Sequence, residues 1–333
     1  MKDGYNREID YVRVSVTDKC NLRCRYCMPQ DIEHVPMSEI LTFEEICFVI
    51  KCMAALGIKK VKITGGEPLV RRDVSILIKN IKNINGIEKV TLTTNGILLA
   101  DKLEELKEAG IDGINISLDT LDSKRYAEIT GYSMLDKVLE GIDCALASGI
   151  TCRLNTVSID SSFYDKSVDM LKDTFLLMDY IKDKKIDLRF IELMPIGFAR
   201  GFPAVSHETL LSAFKEKYPE MIRTPEYSGN GPAVYYKIPG FMGNIGFISA
   251  MHGKFCDSCN RIRLTTKGFL KSCLCYDTGE DIRSIIREDI SMSEKEANVT
   301  KIIAKAIYNK PENHCFTEEE NITEKHTMAS IGG

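Results

Sequence analysis

Tyr11-Val12-Arg13-Val14-Ser15-Val16-Thr17-Asp18-Lys19-Cys20-Asn21-Leu22-Arg23-Cys24-Arg25-Tyr26-Cys27-Met28-Pro29 joins an alternating segment to a C-x3-C-x2-C spacing. Val12, Val14 and Val16 fall on one face, Arg13, Ser15 and Thr17 on the other, which is the period of a strand. The cysteines therefore leave the end of a strand on a loop. Three thiolates on one short loop can hold three irons of a [4Fe–4S] cube, leaving the fourth iron open for another ligand. A zinc site is the competing reading. Zinc sites usually want four protein ligands, and no fourth is local.

Outward from this loop, strands alternate with helices. Thr42-Phe43-Glu44-Glu45 is a capping box. Phe43, Ile46, Cys47, Ile50, Met53 and Ala54 follow at helical spacing, and Gly57 closes the helix. Cys47, Cys52 and Cys144 fall in helical patterns as apolar fillers. Strands are predicted at Lys60–Thr64, Lys89–Thr94, Ile114–Leu118, Thr151–Val157 and Asp187–Ile191. Helices are predicted at Asp73–Lys82, Lys102–Ala109, Leu135–Ser148 and about Tyr164–Lys184. Counting the first, six strands are separated by helical segments, an order that implies parallel pairing and right-handed crossovers. Six units fall short of the eight of a closed barrel. The expected fold is α/β, an open partial (β/α)6 barrel of TIM type; a doubly wound sheet is the alternative.

The strand faces carry functional information. Val12, Val14, Val61, Ile63, Val90, Leu92, Ile114, Ile116, Leu154, Leu188 and Phe190 share the face that packs on outer helices. Arg13, Lys60, Lys62, Thr91, Thr93, Asn115, Ser117, Asp119, Arg153, Asn155 and Arg189 share the other. Ordinary barrels fill that interior with branched apolar side chains. Buried unpaired cations are costly, so a polyanionic ligand inside is expected.

After about residue 195 the rhythm stops, dividing the chain into 1–195, the partial barrel, and 196–333, a C-terminal region. Val234–Ile238 and Asn244–Ser249 read as a hairpin, and Ile282–Tyr308 as helix broken around Ser291–Ser293. Pro311–Lys325 is polar and reads as loop. Between them Cys256, Cys259 and Cys273 make a second three-thiol set, C-x2-C-x13-C. Spacing alone does not choose between a second cluster and a zinc knuckle completed by Cys275 or His252. The neighbouring Arg261 and Arg263 alternate onto one strand face, where two guanidiniums suit bidentate phosphate binding.

With 28% charged residues and a net charge of −4, no nucleic-acid coat is expected. No run of 18 apolar residues predicts a membrane span, and no apolar signal core opens the sequence. Twelve cysteines in so long a chain without an export signal point to metal ligation in a reducing cytoplasm.

Tyr26 before the last cysteine of the first set, with Gly65-Gly66-Glu67-Pro68 after the second strand, resembles the radical S-adenosylmethionine (SAM) superfamily. The ordered set of motifs is narrower. It comprises Arg13, Cys20-x3-Cys24-x2-Cys27-Met28-Pro29, Ile63-Thr64-Gly65-Gly66-Glu67-Pro68-Leu69, Thr93-Thr94-Asn95-Gly96, Arg189-Phe190-Ile191-Glu192, Cys256-x2-Cys259-Asn260-Arg261-Ile262-Arg263-Leu264 and Gly332-Gly333. From about residue 10 onward the sequence resembles the GTP 3′,8-cyclase family of molybdenum cofactor biosynthesis. The resemblance implies two [4Fe–4S] clusters, on Cys20, Cys24 and Cys27 and on Cys256, Cys259 and Cys273. It implies SAM contacts at Tyr26, Gly66, Ser117 and Met194. It implies GTP contacts at Arg13, Lys62, Thr93, Arg153, Arg261, Ile262 and Arg263. Arg13, Arg261, Arg263, Gly332 and Gly333 are the implied catalytic set, with the Gly-Gly end reaching the active site. Lys62 stands where the family has Arg, and Arg153 where it has Lys, which changes hydrogen-bond geometry but not charge. Asp160, in Ser158-Ile159-Asp160-Ser161-Ser162, replaces a cation of a Lys-Gly-rich loop. The implied partners are GTP, an external electron donor, a downstream cyclic pyranopterin monophosphate synthase, and a second copy in a homodimer.

Overall fold

The computed structural model describes residues 1–28, 34–160, 170–202, 205–225 and 231–332. Gly333, Pro29, residues 161–169 and the start of the helix expected from Tyr164 lie outside them.

Twelve strands form one sheet in the order β12-β11-β10-β1-β2-β3-β4-β5-β6-β9-β8-β7. The strands read from sequence are β1 (Tyr11–Ser15), β2 (Lys60–Thr64), β3 (Lys89–Thr94), β4 (Gly113–Ser117), β5 (Cys152–Ser158) and β6 (Asp187–Glu192). All five successive pairs among them are parallel. The C-terminal region adds β7 (Ile222–Arg223), β8 (Val234–Lys237), β9 (Ile245–Ile248), β10 (Arg261–Leu264), β11 (Phe269–Lys271) and β12 (Glu280–Asp281). The partial barrel stands, but the parallel run is longer than six strands. β9 joins parallel to β6, and β10 joins parallel to β1. β8 and β11 run antiparallel outside them. The rhythm stops after β6 because each of these added strands sits beside a hairpin partner instead of following its own crossover helix.

The crossover helices are α1 (Phe43–Ala55), α2 (Val74–Lys82), α3 (Leu99–Glu108), α4 (Ser123–Thr130), α5 (Leu135–Ala147) and α6 (Met170–Ile181). The capping box before α1 forms: Glu45 N–H donates to Thr42 Oγ1 at 3.2 Å, and Thr42 N–H to Glu45 Oε2 at 2.7 Å. Ile46, Val49, Ile50, Cys52 and Met53 then face the sheet and meet Val12, Val14, Val61 and Ile63 in the main core. Cys144 packs at its margin. Burying such side chains stabilises the fold by about 1.5–3 kcal/mol each.

Later come α7 (His207–Lys217), α8 (Ile282–Ile286), α9 (Met292–Tyr308) and α10 (Met328–Ile331). The predicted helix break is where α8 ends and Ser291 caps α9. A second core gathers Ile196, Leu274, Cys275, Phe316, Ile322 and Ile331. It pins the polar 311–325 segment, whose Glu324 is fully buried and paired with Lys271. Among the described residues no helix is long and apolar enough to cross a membrane.

Lys271 Nζ donates to the Glu324 carboxylate and to Tyr276 O at 2.5 Å, while His326 N–H reaches Glu324 Oε1 at 2.7 Å. Lys271→Met should destabilise the chain by about 3–5 kcal/mol by stranding a buried carboxylate. Adding Glu324→Leu should restore most of that loss. Urea midpoints test both; an unaffected single variant would mean that the His326 contacts suffice.

Candidate active site

Both cysteine sets open on one cavity of about 560 Å³, lined by the polar face of the sheet. Cys20, Cys24 and Cys27 follow β1 on a loop tied to α4: Arg23 N–H donates to Thr130 O at 2.8 Å and Arg25 N–H to Ile129 O at 3.0 Å. Burial pushes the Cys20 thiol up to about 11 and the Cys27 thiol up to about 12; burial and then the neighbouring cysteines raise Cys24 too. Such thiols ionise only against a compensating cation. Among the described residues, no three His, Cys, Asp or Glu side chains converge on a point where a single metal ion could sit. A cube spreads its thiolates over separate corners, so the donor set suits an iron–sulfur cluster.

Gly65 and Gly66 press on this loop. A Cβ on Gly66 would lie 2.4 Å from Lys19 O, and one on Gly65 2.6 Å from Thr17 O. Glu67, buried behind them, accepts from Asn95 N–H at 2.6 Å, Leu69 N–H at 2.9 Å and Thr94 Oγ1 at 2.8 Å. It thereby ties the second strand's turn to the third's. Asn95 Nδ2 in turn lies 3.8 Å from Cys20 Sγ. Tyr26 OH donates to Asp119 Oδ2 at 2.7 Å, and burial holds the Asp119 carboxyl up at about 6. Ser117 and Met194 also line the cavity. Glu67 and Asn95 lie inside motifs already noted and Asp119 follows Ser117, but their partners in these contacts are visible only in the fold.

The second set sits across the cavity because β10 lies beside β1. Register places Arg263 opposite Arg13, and Arg13 opposite Lys62 on the next strand. Three cations thus make one row across β10, β1 and β2. Like charges directly opposite destabilise a sheet. Burial first, and then Arg189, Arg13, Arg153 and Arg261, disfavour the Lys62 charge. Burial, followed by Arg13 and Arg261, does the same at Arg263. Arg189 is braced by Asn115 Oδ1 at 2.7 Å and Asn155 Oδ1 at 2.7 Å. It crosses β9 where Gly246 leaves room; a Cβ there would lie 2.9 Å from Arg189 Cγ. Arg153 faces Asp187 at 3.5 Å. Thr93 also lines the cavity.

Ile262 differs from its neighbours. Its side chain is fully buried in the main core, turned away from Arg261 and Arg263, and only its backbone is left for a ligand. Arg261 stacks on Phe255, guanidinium carbon 4.8 Å from the ring centre. His252 is engaged by Glu192, its Nδ1 3.0 Å from Oε1. Cys275 is engaged with Cys315, Sγ to Sγ 3.0 Å. His314 was not legible from sequence. Its N–H lies 3.5 Å from Cys256 Sγ, and its buried Nε2, without a hydrogen-bond partner, belongs to a ring that lines the cavity.

Gly332 enters this arrangement from α10. Its carbonyl accepts from Arg13 Nε at 3.1 Å and from Arg263. Its φ of +79° favours glycine, and a Cβ would lie 2.8 Å from Thr64 Oγ1. Asp160 closes the strand end before the segment outside the described residues.

The profile of the Radical SAM superfamily matches residues 14–173, and that of Molybdenum Cofactor Synthesis C matches residues 186–316. A GTP 3′,8-cyclase of Clostridium perfringens (strain 13 / Type A) is 46% identical over 100% of both chains. The chain belongs to the GTP 3′,8-cyclase family. The cyclase of Alkaliphilus oremlandii is 43% identical over 100% of both chains. That of Listeria monocytogenes serovar 1/2a is 40% identical over 100% of this chain and 99% of the relative. In fold, the chain is similar to Streptococcus suis SuiB bound to S-adenosylmethionine, with a TM-score of 0.66, 14% identity, and coverage of 97% and 78%. Radical SAM membership brings SAM and an iron–sulfur cluster.

Burial holds the Glu67 carboxyl at about 7, above the usual 4.5. Its contribution to stability is therefore full below about pH 4.5 and declines as pH rises through about 7. Glu67→Gln should flatten that decline relative to the parent in urea unfolding across this range. Parallel pH profiles for parent and variant would place the raised carboxyl elsewhere.

Proposed function

We propose that the chain converts GTP to (8S)-3′,8-cyclo-7,8-dihydroguanosine 5′-triphosphate, the first step of molybdenum cofactor biosynthesis. The observation that carries this reading is the row Arg263, Arg13 and Lys62 between two cysteine sets in one cavity. A row of like charges, Lys62 buried and the two arginines half-buried, calls for a polyanion, and a nucleoside triphosphate supplies one.

When bound, a [4Fe–4S] cluster on Cys20, Cys24 and Cys27 supplies, with SAM, the 5′-deoxyadenosyl radical chemistry that removes hydrogen from C3′ and lets it join C8. A second [4Fe–4S] cluster would be held by Cys256, Cys259 and Cys273, and its open iron would take the guanine. Burial would push the Cys259 thiol up, but Arg261 and Lys310 outweigh it and bring it to about 6, which suits a thiolate ligand. Gly66 lets backbone approach SAM; Tyr26, Ser117 and Met194 shape the rest of that subsite. Arg13, Lys62, Arg153, Arg261 and Arg263 hold the phosphates and base, with Thr93 and the Ile262 backbone beside them. Arg189 adds charge held in place by two asparagines. Gly332 O engages Arg13 and Arg263 where the substrate must also bind, so the Gly332-Gly333 end and GTP share these donors.

The division at residue 195, with the barrel before and the second-cluster region after it, belongs to this reading. So do a homodimer, an external electron donor, a downstream cyclic pyranopterin monophosphate synthase and a cytoplasmic setting that keeps the thiols reduced.

Anaerobic incubation with GTP, SAM and a strong reductant should yield the cyclic nucleotide by mass analysis; cleaved SAM with unaltered GTP would overturn the substrate assignment. Arg263→Ala should lower kcat/KM for GTP by roughly one to two orders of magnitude, the worth of one charge-assisted contact, while SAM cleavage persists. Unchanged turnover at limiting GTP would leave this guanidinium without a substrate role. Removing Gly332 and Gly333 should preserve iron content and SAM binding yet sharply reduce cyclic product. A truncated enzyme with the parent's rate would exclude the end from catalysis.

A further inference from the structure

Two buried cations outside every motif converge on the second cysteine set. Arg7 is 7% exposed and Lys310 3%. Arg7 is aimed by Asp3, whose Oδ2 takes Nε–H at 2.6 Å and whose Oδ1 takes the Arg7 N–H at 2.9 Å. The rest of its guanidinium donates only to backbone carbonyls: Cys256 O at 2.9 Å, Glu312 O at 2.7 Å, Pro311 O at 2.7 Å and Lys310 O at 3.4 Å. One fork therefore fastens the Cys256 turn to the segment leaving α9. Lys310, on that segment, donates to Arg261 O at 3.0 Å and to Ser272 O, which sets its charge between the Cys259 and Cys273 segments. Arg261 lies two residues beyond Cys259, and Ser272 is next to Cys273.

We propose that Arg7 and Lys310 are positioning residues that clamp the two segments bearing the second cysteine set, one with Cys256 and Cys259 and the other with Cys273, and that Lys310 also sets the reduction potential of the cluster there. The assignment rests on the second cysteine set holding a cluster. These thiols come from two strand connections, separated by a hairpin, so their sequence spacing does not fix their mutual geometry as it does for the compact first loop. A rigid frame must be supplied from outside. Two buried cations on backbone carbonyls supply it. The roles divide by chemistry. Arg7 is paired with the Asp3 carboxylate and otherwise reaches backbone carbonyls, so it governs how firmly the ligands are held. Lys310 has no carboxylate partner among its hydrogen bonds to Arg261 O and Ser272 O, and a buried cation beside the ligand segments stabilises the more negative, reduced cluster.

The test uses full-length chain with Cys20, Cys24 and Cys27 all changed to alanine, so that only the second cluster is observed. The readouts are iron content, loss of iron to a chelator, and midpoint potential by a redox titration followed by electron paramagnetic resonance. In this background Lys310→Met should lower the midpoint potential, and Lys310→Arg should return it toward the parent value. Arg7→Met should leave the potential near the parent value and accelerate iron loss several-fold, with Arg7→Lys intermediate. Far-UV circular dichroism identifies any variant that fails to fold, in which case the Arg and Lys replacements carry the comparison. A background protein that binds no iron would overturn the second cluster itself, and the clamp with it. A background protein that holds its cluster, with potential and iron loss indifferent to all four substitutions, would overturn the clamp alone.

Discussion

The parallel pairing of β10 with β1 is the constraint on which the site depends. Tyr11 faces Arg261 and Arg13 faces Arg263 across that pair, so two segments far apart in sequence share one register. A slip of one residue would turn both arginines into the core and expose Ile262 and Leu264 to the cavity. The apolar residues between the arginines are thus what aims the charges. Ile262 and Leu264, both fully buried, lock the strand from behind.

Much of this was legible in the sequence because local patterns specified it. Alternation gave the six central strands, and the capping box with Gly57 gave the bounds of α1, whereas α4 (Ser123–Thr130) was not read from the sequence. The cavity's polar lining followed from the same alternation, since a strand that is apolar on one face must present its other residues together. The cysteine loops were legible from spacing, and family membership followed from the ordered motifs. The entry of β9 and β10 at the two edges of the parallel run was not legible. Their short apolar stretches read equally well as parts of separate hairpins, and edge choice is a long-range decision. Arg7, Lys310 and His314 were missed for a related reason. A lone cation or histidine in a polar stretch carries no period, and only the fold reveals that its partners are carbonyls or thiols from elsewhere in the chain. Asp119 and Glu67 lay inside recognised segments, yet their roles as anchors of Tyr26 and of the third strand's turn depend on which backbone donors surround them.

The cavity is held in a state of electrostatic tension. Arg13, Lys62, Arg189 and Arg263 are all disfavoured in their charged forms by burial and by neighbouring guanidiniums, Arg153 and Arg261 among them. Asparagines 115 and 155 and the Gly332 carbonyl soften this without cancelling it, since neutral oxygens offer only partial charge. Such an interior loses folding stability to gain a preorganised anion site, the usual exchange at functional centres. The apolar layer between the sheet and α1–α6 sustains it.

The closure of β1 by β10 also shapes how the chain must reach its native state. Asn260 and Asp10, at the foot of this pair, bond across 250 residues. Strands β1 to β6 can add to one another in order as they are synthesised, each beside its predecessor. The other edge of β1 has to wait until β10 exists. In that interval a strand with an apolar face and unpaired backbone groups is open to any passing strand, the hazard that edge strands present. The cysteine loop at its end is uncovered for the same period. The topology therefore separates in time what it joins in space: one wall of the chamber is built first, and the wall that opposes it comes from the chain's far end.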